Sequence, residues 1–123
     1  MKHILLITAA LFLLGLSSCF YDKADLIYPQ STTCDTATVT YSGTVAPILT
    51  SNCNGCHGGT AGAGAGIKLD TYPAVMTYIN NGRLINSILH NGKASAMPKG
   101  GSKLDACTIN KLNAWITKGA TNN

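Results

Sequence analysis

The chain has 123 residues, with nine Lys and Arg against five Asp and no Glu, for a net charge of +4. That charge is far from a nucleic-acid binder's, so no nucleic-acid partner is expected, and the length suits one modest domain. What composition leaves to be explained is five cysteines in so short a chain.

Lys2 and His3 precede an apolar run over 4–16, too short to span a bilayer as a helix, which reads as a signal-peptide core. It ends in Leu16-Ser17-Ser18-Cys19, which looks like a lipobox. Residues 1–18 are therefore read as a lipoprotein signal peptide and Cys19 as the acylated first residue of the mature chain. An ordinary secretory signal cleaved near Ser17 or Ser18, with Cys19 a free thiol, is the alternative. Several acyl chains on one cysteine anchor stably, where a single chain does not. Either way the chain leaves the cytoplasm for a compartment in which disulfides persist. Phe20 supplies no retention signal of the aspartate type, so the default address is the outer membrane, facing the periplasm.

Residues 19–40 are polar and turn-prone, with Pro29 and a Ser-Thr-Thr cluster, and read as a tether; the domain proper is placed at 41–123. Only Thr38 to Tyr41 alternates in the manner of a strand. A first helix is expected from near Thr44, with Pro47 tolerated in its opening turn and Val45, Ile48 and Leu49 on one face. It would end at Cys53.

There stands Cys53-Asn54-Gly55-Cys56-His57, the C-x-x-C-H attachment motif of a c-type haem. On one helical turn, positions i, i+3 and i+4 share a face, so Cys53, Cys56 and His57 point the same way. Two thiols can then add to the vinyl groups of one porphyrin while the imidazole rises beneath the iron as proximal ligand. A thioredoxin-like pair would need a helix to follow, and the next residues are a run of Gly and Ala. A zinc site would need a fourth ligand, and His90 stands without a neighbouring one. There is no second C-x-x-C-H, so one haem is expected. The cysteines then divide: Cys19 to lipid, Cys53 and Cys56 to haem, leaving Cys34 and Cys107 for a disulfide or as two buried free thiols.

The glycine and alanine run over 58–66 is either a loop that lets backbone approach the porphyrin edge or a flexible insertion. It is not a phosphate loop, since no Gly-Lys-Ser or Gly-Lys-Thr follows. Asp70 or Thr71 then caps a helix carrying Pro73, Val75, Met76 and Ile79, which stops at Asn80-Asn81-Gly82. Another helix spans about 83–90 with Leu84, Ile85, Ile88 and Leu89 as its apolar stripe, and a last one spans about 105–118 with Ile109, Leu112, Trp115 and Ile116. The architecture is expected to be all-α.

Met97, Met76 and His90 are the candidates for the sixth iron ligand. Met97 is favoured, because Pro98 disfavours helix at the residue before it and leaves Met97 in an extended loop. Met76 reads as core and His90 as a surface or capping histidine. A His57/Met97 pair raises the reduction potential and closes both axial positions, which suits a single-electron carrier rather than an enzyme. An open sixth position would instead suit a haem enzyme or a small-ligand-binding domain. Arg83, Tyr72 and Trp115 are candidates to hydrogen-bond a haem propionate. Lys93, Lys99 and Lys103 flank Met97, either as ordinary loop lysines or as a surface that steers an acidic redox partner.

With Cys53-Asn54-Gly55-Cys56-His57, Met97-Pro98 some forty residues later, and a closing helix with Leu112, Trp115-Ile116 and Gly119-Ala120, the chain resembles the mono-haem class I cytochrome c family over about residues 41–120. The resemblance implies a fold in which the first and last helices cross and pack beside the haem, and a role as electron carrier for a redox partner protein. Two departures are visible. Where the family often has Gly-Pro-x-Leu, whose proline carbonyl orients the proximal histidine, this chain has Gly66-Ile67-Lys68-Leu69. The N-terminal helix also lacks the usual aromatic at the helix crossing, so Val45, Ile48 or Leu49 is expected to pack on Leu112 and Trp115.

Overall fold

A computed structural model describes residues 34–123; the signal segment, Cys19 and the tether up to residue 33 lie outside the described residues. Among those described there are five α-helices, one π-helical turn and no strand. The alternation at Thr38–Tyr41 is thus not a strand. Val39 is buried, but Thr40 is an N-cap whose Oγ1 accepts from Gly43 N at 3.1 Å.

The helix this cap begins starts three residues earlier than expected, as a π-helical turn over Tyr41–Val45 that runs into α1, Ala46–Asn52. Thr40 O and Tyr41 O accept from Val45 N and Ala46 N, five residues on. Pro47 has no N–H to donate, so one residue is absorbed in a wide turn just before it, and regular α-helix follows. Cys53 N still bonds Leu49 O at 2.8 Å, which carries the ladder to the motif.

The short helix α2, Asn54–His57, holds the rest of that motif. Helix α3, Tyr72–Asn80, has Thr71 as its extended N-cap and Pro73 in its first turn. Asp70, the other cap candidate, instead accepts from Gly59 N at 2.8 Å. Gly82, at φ +71°, turns α3 into α4, Arg83–Leu89, a conformation in which a side chain is strained. In α5, Ala106–Thr117, Asp105 caps the helix by accepting from Thr108 N at 2.9 Å and from the Thr108 hydroxyl at 2.6 Å.

Val45, Leu49, Val75, Leu112 and Trp115 form the centre of the core, each no more than 2% exposed. The helix crossing is not without an aromatic after all. Tyr41, in the π-helical turn, sets its ring 5.7 Å from Trp115 and 5.1 Å from Tyr72, and the Tyr72 ring lies 6.5 Å from Trp115. Those spacings suit edge and tilted aromatic packing. The C-terminal residues lace across this cluster: Trp115 Nε1 donates to Thr121 O and Tyr72 Oη to Ala120 O, both at 2.9 Å, while Ser42 N donates to Asn123 O.

A disulfide joins Cys34 to Cys107 on α5, with Cα atoms 5.4 Å apart. Lys118 Nζ donates to Thr36 O and Ala37 O at 2.8 and 2.6 Å. Residues 34–40, which the sequence places in the tether, are therefore fastened to the last helix.

Candidate haem-binding site

Two turns of chain build one wall of a cavity of about 720 Å³. At the end of α1 the backbone breaks at Cys53, φ −125° and ψ −42°, and restarts as α2. Cys53 O accepts from both Cys56 N (3.1 Å) and His57 N (2.8 Å), so the motif closes into a single turn. Cys53, Cys56 and His57 all line the cavity. Cys53 is half-buried and Cys56 exposed, and neither is in a disulfide. Burial pushes the Cys53 thiol up to about 11, so at neutral pH it is an uncharged part of the wall.

His57 is fixed from two sides by the segment that returns after the glycine and alanine run. Its Nδ1–H donates to Ile67 O at 2.9 Å, and its own carbonyl accepts from Leu69 N at 2.8 Å. A ring whose Nδ1 donates to a carbonyl presents Nε2 as its ligand atom, with its orientation set by that bond. Ile67 therefore does here what the proline carbonyl does in Gly-Pro-x-Leu. A main-chain carbonyl requires no particular side chain, so the missing proline removes nothing.

The run over 58–66 is a series of turns rather than a loose insertion. Ala61 N bonds Gly58 O, Gly64 N and Gly66 N both bond Ala61 O, and Ile67 N bonds Gly64 O, at 2.8 to 3.0 Å. Gly64 explains why the run must be small. A Cβ placed there would strike His57 Nδ1 and lie 2.7 Å from Cys56 O and 2.9 Å from His57 Cε1. Gly64→Ala is accordingly expected to displace the imidazole and to destabilise the loaded protein by about 1–3 kcal/mol, the usual range for overpacking. The yield of haem-loaded protein and its thermal midpoint, against Gly62→Ala as control, check this; the Cβ at Gly62 meets only Thr60 Oγ1 at 3.9 Å.

α4 and the segment after it also line the cavity. Leu84, Ser87 and Ile88 of α4, then Ala96, Met97 and Pro98, face the cavity, and Leu49, Leu69, Leu104 and Leu112 supply apolar lining. Met97 is partly buried, and both of its main-chain polar groups are bonded: its N–H to Ser87 O at 3.1 Å, and its carbonyl to His90 Nε2 at 2.8 Å.

Of the other candidates for the iron, Met76 packs partly buried against the hydrophobic core, away from the cavity. His90 is the C-cap of α4, and its ring is spent on the Met97 carbonyl. Among the propionate candidates Arg83 lines the cavity, with Cζ 5.9 Å from the centroid of the Tyr78 ring. Tyr72 and Trp115 do not line it, and their donors are taken by Ala120 O and Thr121 O. Tyr78, another lining residue, is not singled out in sequence, where it falls among the helical positions of α3 with no feature marking it. Lys99 is in the lining, while Lys93 and Lys103 are exposed outside it. Among the described residues no group of three or more His, Cys, Asp and Glu is placed to hold a metal ion.

The residues fit a haem. The cavity falls within the ~300–1,000 Å³ of cofactor sites and is walled mainly by apolar side chains. Its lining includes two cysteines, an oriented imidazole, a methionine and two cations, Arg83 and Lys99. An all-α domain with this site has the layout of a c-type cytochrome. Residues 44–116 match the family described as cytochrome c oxidase, cbb3-type, subunit III, a cytochrome c domain, and the chain belongs to that family. No curated protein and no solved structure shows a significant match. Haem binding and electron transfer are the chemistry of such domains.

Proposed function

We propose that this chain binds one haem c, attached through Cys53 and Cys56 with His57 and Met97 as axial ligands, and works as a membrane-tethered single-electron carrier. What supports the reading is that these four residues line one cavity. Haem, when bound, supplies an iron that alternates between ferrous and ferric states.

The chain's own residues fix its surroundings. Ile67 O holds the imidazole by Nδ1 and leaves Nε2 to ligate the iron that a bound haem would supply, and the bonds to Ser87 and His90 hold the Met97 main chain. A thioether in the sixth position favours the ferrous state and leaves no site for substrate, so the role is carriage rather than catalysis. Arg83 and Lys99 offset the propionate charge. Lys93, Lys99 and Lys103 flank Met97 in sequence and are exposed, Lys99 at the cavity, and they favour an acidic redox partner; the electron-transfer rate should then fall as ionic strength rises.

Export and anchoring complete the proposal. A lipidated Cys19 leaves 14 residues, 20–33, before the disulfide at Cys34, a flexible reach of about 20 Å from the outer membrane's periplasmic face. No helix among the described residues is long and apolar enough to cross a membrane.

Carbon monoxide tests the closed sixth position. The ferrous protein should take it up slowly or not at all, and the ferric protein should show a methionine-to-iron charge-transfer band. Rapid uptake with no such band would overturn the carrier reading in favour of a ligand-binding or enzymatic haem.

A further inference from the structure

His90 occupies a position that a glycine would fill more comfortably. It is the C-cap of α4 with φ +52° and ψ +39°, the left-handed conformation in which glycine is usual because a Cβ is strained. Its backbone contribution to the cap is weak, an N–H to Ser87 O at 3.4 Å. What a histidine adds there is its ring. Nε2–H donates to Met97 O at 2.8 Å, seven residues on, in a partly buried contact. Ser87 O accepts at the same time from Met97 N at 3.1 Å. The main chain of Met97 is therefore gripped on both sides by the last turn of α4. Among the described residues, no other hydrogen bond ties residues 94–103 to the rest of the domain; Gly101 N to Pro98 O stays within the segment.

We infer that His90 is a positioning residue for the sixth iron ligand: its side chain clamps the Met97 carbonyl and keeps the thioether over the cavity. The inference rests on Met97 as ligand, and it assigns to the histidine a part distinct from ligation. The physical basis is a competition. A ligand added from solution binds iron only in the fraction of molecules whose sixth position is open, so its apparent affinity reports that fraction. Losing one partly buried hydrogen bond raises the open fraction by roughly tenfold.

The test is titration of the ferric, haem-loaded protein with imidazole, alongside the charge-transfer band and the thermal midpoint. His90→Gly removes the ring while relieving the left-handed backbone, so the fold does not suffer at the cap. It should bind imidazole about tenfold more tightly than the parent and show a weakened band. His90→Gln, whose amide N–H reaches the same carbonyl, should return the affinity close to the parent value. Met97→Ala is the reference for a fully open position. Imidazole affinity in His90→Gly within twofold of the parent, with Met97→Ala binding far more tightly, would overturn the role of His90 alone. Parent-like affinity in Met97→Ala would overturn the axial assignment and the role of His90 with it.

Discussion

Met97→Ala should turn a closed haem into an open one. Alanine has no donor to replace the sulfur, and His90 and Ser87 hold the Met97 segment by its main chain, so the substitution leaves the loop in place and empties the sixth position. The ferric charge-transfer band should disappear, the ferrous protein should bind carbon monoxide within mixing time, and the reduction potential should fall by on the order of 100 mV. Potentiometric titration and carbon monoxide spectra measure both effects. A potential unchanged within error would mean that some other group ligates the iron. Met76→Ala is the control: it should cost stability as a core truncation and leave the band intact.

The second large effect is on stability. The disulfide from Cys34 to Cys107 closes a loop across a sequence separation of 73, and on the chain-entropy argument a loop that long contributes about 4 kcal/mol. In a domain this small that corresponds to a fall in thermal midpoint on the order of 20 °C. Cys34→Ser with Cys107→Ser should show it while leaving the haem spectrum unchanged, because neither cysteine lines the cavity. The same substitutions leave the Lys118 bonds to Thr36 and Ala37 as the hydrogen bonds that tie residues 34–38 to the end of α5, ahead of the buried Val39, so the tether should become open to proteolysis further toward the domain. A midpoint lowered by only a degree or two would argue that the two ends stay together without the bridge.

The helical frame was legible because it is written in side chains at helical spacing. The stripes through Leu84 and Ile88, and through Ile109, Leu112 and Trp115, place α4 and α5 within a residue or two of where they stand, and all five of these residues are buried. That Cys53, Cys56, His57 and Met97 line one cavity could be anticipated from the C-x-x-C-H spacing and from Pro98 after Met97. What could not be read is what main chain does. The acceptor for His57 is a carbonyl, and Ile67 carries no mark of it. The π-helical turn follows from Pro47 lacking an N–H, but the wide turn forms before that proline, over residues whose composition is ordinary. It also moves Tyr41 onto Trp115, so the aromatic of the helix crossing lies a turn ahead of where the α-helical pattern starts. Tyr72 and Trp115 look free in sequence because the acceptors that take their donors, Ala120 O and Thr121 O, are again main chain. His90 stands at the C-cap of α4, as its reading as a capping histidine expects, but the partner of its ring is again a carbonyl that no side chain marks.

The most direct test of the account is the haem content of the purified chain, produced with a c-type cytochrome maturation system and measured by pyridine haemochrome and intact mass after acid and organic extraction. One haem per chain should survive extraction, and none should be found on the Cys53→Ser, Cys56→Ser double variant. A chain that emerges without covalent haem, or a double variant that retains it, would contradict the account.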